Sequence, residues 1–428
     1  MVDIFRYGKD DMSKVFKRTQ LDDSDYISAV DSIVKDVRNR GDEAVFEYCK
    51  KFDRQDIDAS NILVTDEEIK RAYDKIDSAL LSSIRKAREN VLQYHSRQRE
   101  KFHNEFFAAG SNGESKLGWI YRPLARVGLY VPGGKASYPS TVLMTALPAK
   151  AAGVKEIVVV TPNISNPAIL VACKECGIDK IYKVGGAQAI AALAYGTQTI
   201  PRVDLIAGPG NVFVTLAKKQ VFGHVAIDMI AGPSEILVIA DGSADARLVA
   251  ADLLSQAEHD ELAASILVTT SEELAFEVDR ELERQTALLS RSEIMTKSLK
   301  SNGAIIVVEN MSDAVAVADA VAPEHLEICA QNAEEIAAKL SNAGAIFVGN
   351  NSPEPLGDYF AGPSHVLPTS GSARYSSVLS VDTFMKKISY IQYSKRDLLE
   401  VADDVIRFAE SEGLTAHANA VRLRKQEK

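Results

Sequence analysis

The chain has 428 residues, 46% of them hydrophobic, and a formal charge of -10 at pH 7; such a length exceeds what one core usually serves, so two or more domains are expected. Lysines and arginines are scattered without a basic stripe, which argues against a nucleic-acid partner and for a small ligand. No stretch approaches the run of about eighteen apolar residues that a membrane span needs, the N-terminus lacks a signal-like apolar segment, and Cys49, Cys173, Cys176 and Cys329 build no disulfide framework, so a cytoplasmic protein with reduced thiols and no membrane partner is expected.

In chain order, residues 1–25 read as an N-terminal arm. Thr65-Asp66-Glu67-Glu68 forms a capping box ahead of Ile69, Ala72, Ile76, Leu80, Ile84, Ala87, Val91 and Tyr94, whose spacing predicts one long amphipathic helix. From Arg126 short β-branched runs alternate with Ala-rich helical stretches. Strands are predicted at Val127 to Val131, Glu156 to Val160, Lys180 to Val184 and Val203 to Ile206, then at Ile236 to Ala240, Ile266 to Thr269, Ala304 to Val308, Leu326 to Cys329 and Ala345 to Val348. Strand alternating with helix predicts parallel sheets. The fold class is therefore α/β: two Rossmann-like, incomplete doubly wound parallel-sheet domains, with a helical N-terminal segment and a small C-terminal tail domain. The expected divisions are 26–125 with 236–378 as one α/β domain, 126–235 as the second, and 379–428 as the tail. In that tail a β-prone run, Thr383 to Tyr393, precedes a charged helix from about Arg396 to Glu412. With few apolar residues, the tail must pack on the body or on another subunit to be ordered.

Four glycine turns punctuate the first strand series: Pro132-Gly133-Gly134, Gly185-Gly186, Gly208-Pro209-Gly210-Asn211 and Gly232-Pro233-Ser234. Three follow strands, at the carboxyl edge where open α/β sheets bind ligands, and helices starting beyond them would point free N–H groups at a phosphate. The dinucleotide fingerprint G-x-G-x-x-G is absent, so a tight-turn role explains each loop equally well.

Three of seven histidines stand in distinctive strings, Gln256-Ala257-Glu258-His259, Pro323-Glu324-His325-Leu326 and Gly413-Leu414-Thr415-Ala416-His417. Gln256 and His259, three apart on an expected helix, share a face, while Asp358 could add a charged oxygen and His417 a second nitrogen, a set that suits zinc without matching a compact zinc motif. Glu324 and His325 offer a proton-transfer pair, provided the chain is still turning there, because neighbours in a strand face opposite ways. Cys329 leaves open a thiolate attack on an aldehyde, whereas Cys173 and Cys176 read as packing. Residues alone also leave open a zinc hydrolase with Glu324 as base, or a two-lobed small-molecule binder.

The strings GLYVPGGKASYPSTVLM, VGGAQAIAALAYGT, AGPGN, AGPSEILVIAD, LLSQAEHD, APEHLEI, GDYFAGPSHVLPT and EGLTAHANAVRLR, in this order, resemble the histidinol dehydrogenases over nearly the whole chain from about residue 25. The resemblance implies a zinc- and NAD-dependent oxidation of L-histidinol to L-histidine in two steps, the last of histidine biosynthesis. It implies Gln256, His259, Asp358 and His417 as zinc ligands that also meet substrate, and Glu324 with His325 as the acid-base pair. Ser234, His365 and Glu412 are implied as further substrate contacts, Tyr130, Gln188 and Asn211 as NAD contacts. It also implies a homodimer in which each tail completes the partner's site.

Overall fold

A computed structural model of the chain describes residues 1–16, 24–133, 138–162 and 164–426; Gly134 of the first glycine turn lies outside them. The strands described are β1 (Asp3–Arg6), β2 (Glu105–Ala109), β3 (Ser115–Pro123), β4 (Arg126–Tyr130), β5 (Glu156–Val160), β6 (Lys180–Tyr182), β7 (Leu205–Ala207), β8 (Ala226–Ile227), β9 (Glu235–Ala240), β10 (Ala264–Thr269), β11 (Ala304–Val307), β12 (His325–Cys329), β13 (Ala345–Val348) and β14 (Met385–Gln392). They belong to two compact units, Met1–Arg97 with Leu124–Phe384, and Gln98–Pro123 with Met385–Lys428.

Two sheets lie in the first unit, ordered β6-β5-β4-β7-β8 and β1-β11-β10-β9-β12-β13, and every pairing in both is parallel. Strands β9 (EILVIA), β10 (ASILVT) and β12 (HLEIC) are buried at every position, as expected of central parallel strands covered on both faces by helices. In each sheet the strand order reverses once, between β4 and β7 and between β9 and β12, leaving two switch-point crevices. The α/β, doubly wound class read from the sequence is the class observed.

Packing departs from the expected divisions in three places. Residues 3–6 are not an arm: β1 adds to the edge of the second sheet beside β11. The helix Ser24–Arg40 packs on Gly186–Tyr195 and Val212–Val221, so Val30, Ile33, Val34 and Val37 share a core with Ile190, Leu193 and Val214 of the first sheet, rather than with residues 236–378. The single helix expected after Thr65 is two, Asp66–Lys75 and Ser78–Arg99. Its capping box is present, but Ile76 takes an extended conformation at ψ 140 and Asp77 accepts the Leu80 N–H at 2.9 Å, starting a second helix.

The second unit joins β14 antiparallel to β3, and β3 to β2, with helices Lys395–Ser411 and Thr415–Gln426. The hairpin 105–123 was not foreseen; it supplies the tail with a sheet. Asp397 ties the unit together, accepting from Ser115 N at 3.1 Å, Ser115 Oγ at 2.6 Å and Ser394 Oγ at 3.0 Å. Gly110, at φ 77, lets the hairpin turn close over this carboxylate, where a Cβ would collide. Those donors, Ser115 first, hold the Asp397 carboxyl down at about 2. A carboxyl depressed in the folded state stabilises fully above its unfolded value, about 4, and loses that contribution as pH falls through the folded value. We therefore expect Asp397→Asn to lower the melting temperature at pH 7, and the gap from the parent to close between about pH 4 and pH 2. A gap independent of pH in calorimetry would contradict this assignment.

Candidate active site

A polar cluster interrupts the apolar core at the amino end of β9 and β12. Ala322 caps the helix Met311–Val321 in a left-handed conformation, φ 49, and the chain turns through Pro323 and Glu324 before β12 begins at His325. That turn lets neighbouring side chains serve one site. Both are held by the backbone of one β9 residue: Glu235 N–H donates to Glu324 Oε2 at 2.9 Å, and Glu235 C=O lies 3.1 Å from His325 Nδ1. A carbonyl oxygen only accepts, so Nδ1 carries the proton and Nε2 is left to exchange one. Nε2 has no hydrogen-bond partner and lies 3.7 Å from Asp358 Oδ1 and 3.8 Å from Glu354 Oε1. Burial pushes Glu324 up to about 8, with His325 pulling the other way. For His325 burial opposes the charge, but Glu324, Asp358 and Glu354 outweigh it and raise the imidazole to about 10.

Next to this pair stands a group of metal-capable atoms. One ligand atom each from His259, Glu354 and Asp358 lie within 4.8 Å of one another. Gln256, in the last turn of the helix Ala246–Ala257, is buried with its Oε1 unpartnered. His259 stands just past that helix, its N–H on Gln256 O at 3.1 Å, so the two sit on a turn and not on one helix face as expected. His365 closes the group, Nδ1 facing the Asp358 carbonyl at 3.1 Å and Nε2 near Thr141 Oγ1 at 3.4 Å. Burial would raise Asp358, but His325 and His365 hold it well below the carboxylate range; burial lowers His259 and His365. Buried carboxylates with an orphaned amide oxygen fit a divalent cation, which would neutralise them and fill the open acceptor.

A second site opens at the carboxyl edge of the first sheet, at its switch point. This cavity of about 980 Å3 is lined by Tyr130, Gln188, Asn211, Asp53, Phe52 and Phe213 among others. Tyr130 Oη accepts the Gly186 N–H at 3.2 Å, and Asn211 caps the helix Val212–Val221 through Val214 N–H at 3.2 Å. Beneath the Gly208 turn a buried ion pair, Lys218 with Asp228, holds both polar atoms of Gly208: Lys218 Nζ donates to its carbonyl at 3.1 Å and Asp228 Oδ2 accepts its N–H at 2.7 Å.

A family model described as histidinol dehydrogenase matches residues 16–425. The chain belongs to the histidinol dehydrogenase family. A relative named histidinol dehydrogenase from Clostridium acetobutylicum is 52% identical over 99% of this chain and 100% of its own length. Another so named, from Caldanaerobacter subterraneus subsp. tengcongensis, is 51% identical over 99% of both chains. The crystal structure of histidinol dehydrogenase from Elizabethkingia anophelis superposes with a TM-score of 0.92 at 37% identity, covering 99% of this chain and 98% of that one.

Of the residues that the histidinol dehydrogenase resemblance selects, His259, Glu324, His325, Asp358 and His365 share the polar cluster, with Gln256 beside His259. Tyr130, Gln188 and Asn211 line the cavity. Ser234 directly precedes Glu235 at the start of β9, while Glu412 and His417 are exposed in the second unit. Glu354 was missed. It opens the helix Glu354–Tyr359 one turn before Asp358, an i, i+4 spacing that points both inward, but the glycines and prolines around it read as turn. Glu327 was missed as well. It lies two residues after His325 on β12, accepts the Glu354 N–H at 2.6 Å and adjoins Asp252, burial pushing both carboxyls up. Cys329 is buried and burial raises its thiol to about 12, which removes the thiolate alternative. We expect Cys329→Ala to keep turnover within about twofold of the parent, and the native thiols to resist alkylation at pH 8 by mass spectrometry. Abolished turnover in a folded variant would restore the thiolate route.

Proposed function

We propose that this protein is a zinc-dependent L-histidinol dehydrogenase that uses NAD twice, oxidising histidinol to histidinal and histidinal to histidine, the last step of histidine biosynthesis in the cytoplasm. The observation that carries this reading is the clamp of Glu324 and His325 on the Glu235 backbone, directly beside the His259, Glu354 and Asp358 donors. Among the described residues no helix is long and apolar enough to cross a membrane.

Gln256, His259 and Asp358, with His417, are the residues that would hold one zinc per subunit; zinc has no redox chemistry and would supply a fixed point for the substrate's nitrogens. His325, with Nδ1 anchored on Glu235, would take the hydroxyl proton at Nε2 once a cation answers the Asp358 charge that otherwise helps keep its ring protonated, while NAD would supply the hydride acceptor. Glu324 would then take a proton from the water that adds to the aldehyde, and a second NAD would supply the hydride acceptor for the hydrate. A carboxyl lifted to about 8 is a stronger base than an exposed one, which suits it to that water. His365 lines a pocket with His325 and Asp358 in which substrate would sit, Ser234 beside Glu235 would be a further contact, and Tyr130, Gln188 and Asn211 line the cavity that would take the dinucleotide.

The tail supports a homodimer. Phe408 is 72% exposed and Ile391 73%, with Leu423 and Val405 also open, an apolar surface that a second copy would cover. In this reading His417 and Glu412 of one copy serve the site of the other.

Limiting L-histidinol should yield two NADH per molecule by absorbance, the yield vanishing with a chelator and returning with zinc; turnover unaffected by metal removal would sink the zinc reading. Glu324→Gln should retain zinc by elemental analysis yet stop at one NADH per histidinol. His417→Ala should lose metal and activity together. Co-expressing Glu324→Gln with His417→Ala should restore the two-NADH turnover that neither has alone, because one site of the mixed dimer then receives an intact body and an intact tail. Failure of that complementation in a purified mixed dimer would put the tail residues in their own subunit's site.

A further inference from the structure

Among the described residues lining the cavity of the first sheet, Asp53 is the one charged side chain, with neither lysine nor arginine beside it. It ends a five-residue π-helical turn, Cys49–Asp53, and Arg54 after it takes left-handed angles, φ 55 and ψ 33. A π-turn followed by a non-glycine at positive φ costs free energy, and such geometry persists where it aims a group. Here it carries a carboxylate from outside the sheet onto the start of the helix Gly186–Tyr195, where Asp53 accepts from Gly185 N–H and, at 3.3 Å, from Gln188 Nε2.

The position matters for a nucleotide. Doubly wound domains usually keep an acidic residue near the end of the second strand to bind the ribose hydroxyls. In this chain β5 ends in Val160 and runs into Thr161, Pro162 and Asn163, with no acid. The Asp53 segment reaches that same strand end, since Gln55 Nε2 donates to Pro162 O and a Cβ on Gly185 would touch the Pro162 ring. An ionised carboxylate has about four acceptor positions, of which the two hydrogen bonds named use half. Asp53 lines a cavity that Phe52, Ile33, Ile164 and Pro132 also wall.

A carboxylate so placed accepts from a vicinal diol and repels a phosphate, with no lysine or arginine among the described residues lining the cavity to offset the repulsion. We propose that Asp53 reads the unphosphorylated adenosine ribose of the dinucleotide, and so selects NAD over NADP. This rests on the NAD reading above and assigns the selectivity to a residue outside both the sheet and the glycine turns.

Titration calorimetry of the purified full-length protein with NAD and NADP tests it, alongside Asp53→Asn and Asp53→Ser. The parent is expected to prefer NAD by at least about tenfold, and the variants to bring the ratio towards one, chiefly by losing NAD affinity. The unmodified protein offers a second readout that needs no variant: 2′-deoxy-NAD should bind about tenfold more weakly than NAD. Equal losses for both dinucleotides in the variants would mean that Asp53 only braces Gln188 and the helix start, and would overturn the proposal. So would a parent indifferent to the 2′-phosphate or to the 2′-hydroxyl. A parent that binds neither dinucleotide removes the NAD reading itself, whereas one that binds NAD with an unchanged ratio in the variants removes the Asp53 assignment alone.

Discussion

Burying carboxylates in an apolar core is unfavourable unless something positive, or a good donor, answers them. Glu324, Glu327, Glu354 and Asp358 are all held in the interior near the amino ends of β9 and β12, together with Asp252. Much of the surrounding structure answers that charge. The Glu235 backbone clamps Glu324 and His325, the Glu354 N–H donates to one Glu327 oxygen, Ser255 Oγ meets Glu354 at 3.1 Å, and three imidazoles gather round Asp358. What is left over, the Gln256 and Glu354 oxygens without partners, has the chemistry of a cation site.

The two sheets serve the molecule from opposite ends. At the first switch point the cavity lies beyond the carboxyl ends of β4 and β7, where doubly wound sheets ordinarily bind nucleotides. At the second, Glu324 and His325 stand at the amino ends of β9 and β12, because Glu235 and His325 are the first residues of their strands. The helix Ala246–Ala257 runs back against its sheet, so its C-terminal turn delivers Gln256 and then His259 to that same end. Central strands hold these groups with little freedom, which suits proton transfer, where reach and orientation decide the rate.

The first sheet lacks the fingerprint of a tightly held dinucleotide for a visible reason. Two of its helix N-termini, which would otherwise meet a pyrophosphate, hold protein groups: Asn211 caps one and Asp53 sits at another. Stiffness comes instead from the buried Lys218 and Asp228 pair beneath the Gly208 turn. Breaking such a pair exposes an uncompensated buried charge, which typically costs about 3–5 kcal/mol.

Local pattern was enough for much of this protein. The unbroken apolar runs of β5, β9, β10 and β11 and their alternation with helices specified parallel doubly wound sheets, because strands covered on both faces must be apolar throughout. The strings around Gln256, Glu324, Asp358 and His417 specified the family, and the Pro323-Glu324-His325 turn into β12 marked the place. Partners distant in sequence had to come from tertiary structure. An amphipathic face on Ser24–Arg40 states that it will be buried but not against which sheet. The spacing of β2 and β3 does not reveal that β14, more than 250 residues away, completes them. Glu354 and Asp53 sit in turns whose composition signals only irregular backbone. It took the helical turn at 354–359 and the π-turn at 49–53 to aim their carboxylates, since direction in space is set by backbone angles that residue identity constrains weakly outside regular elements.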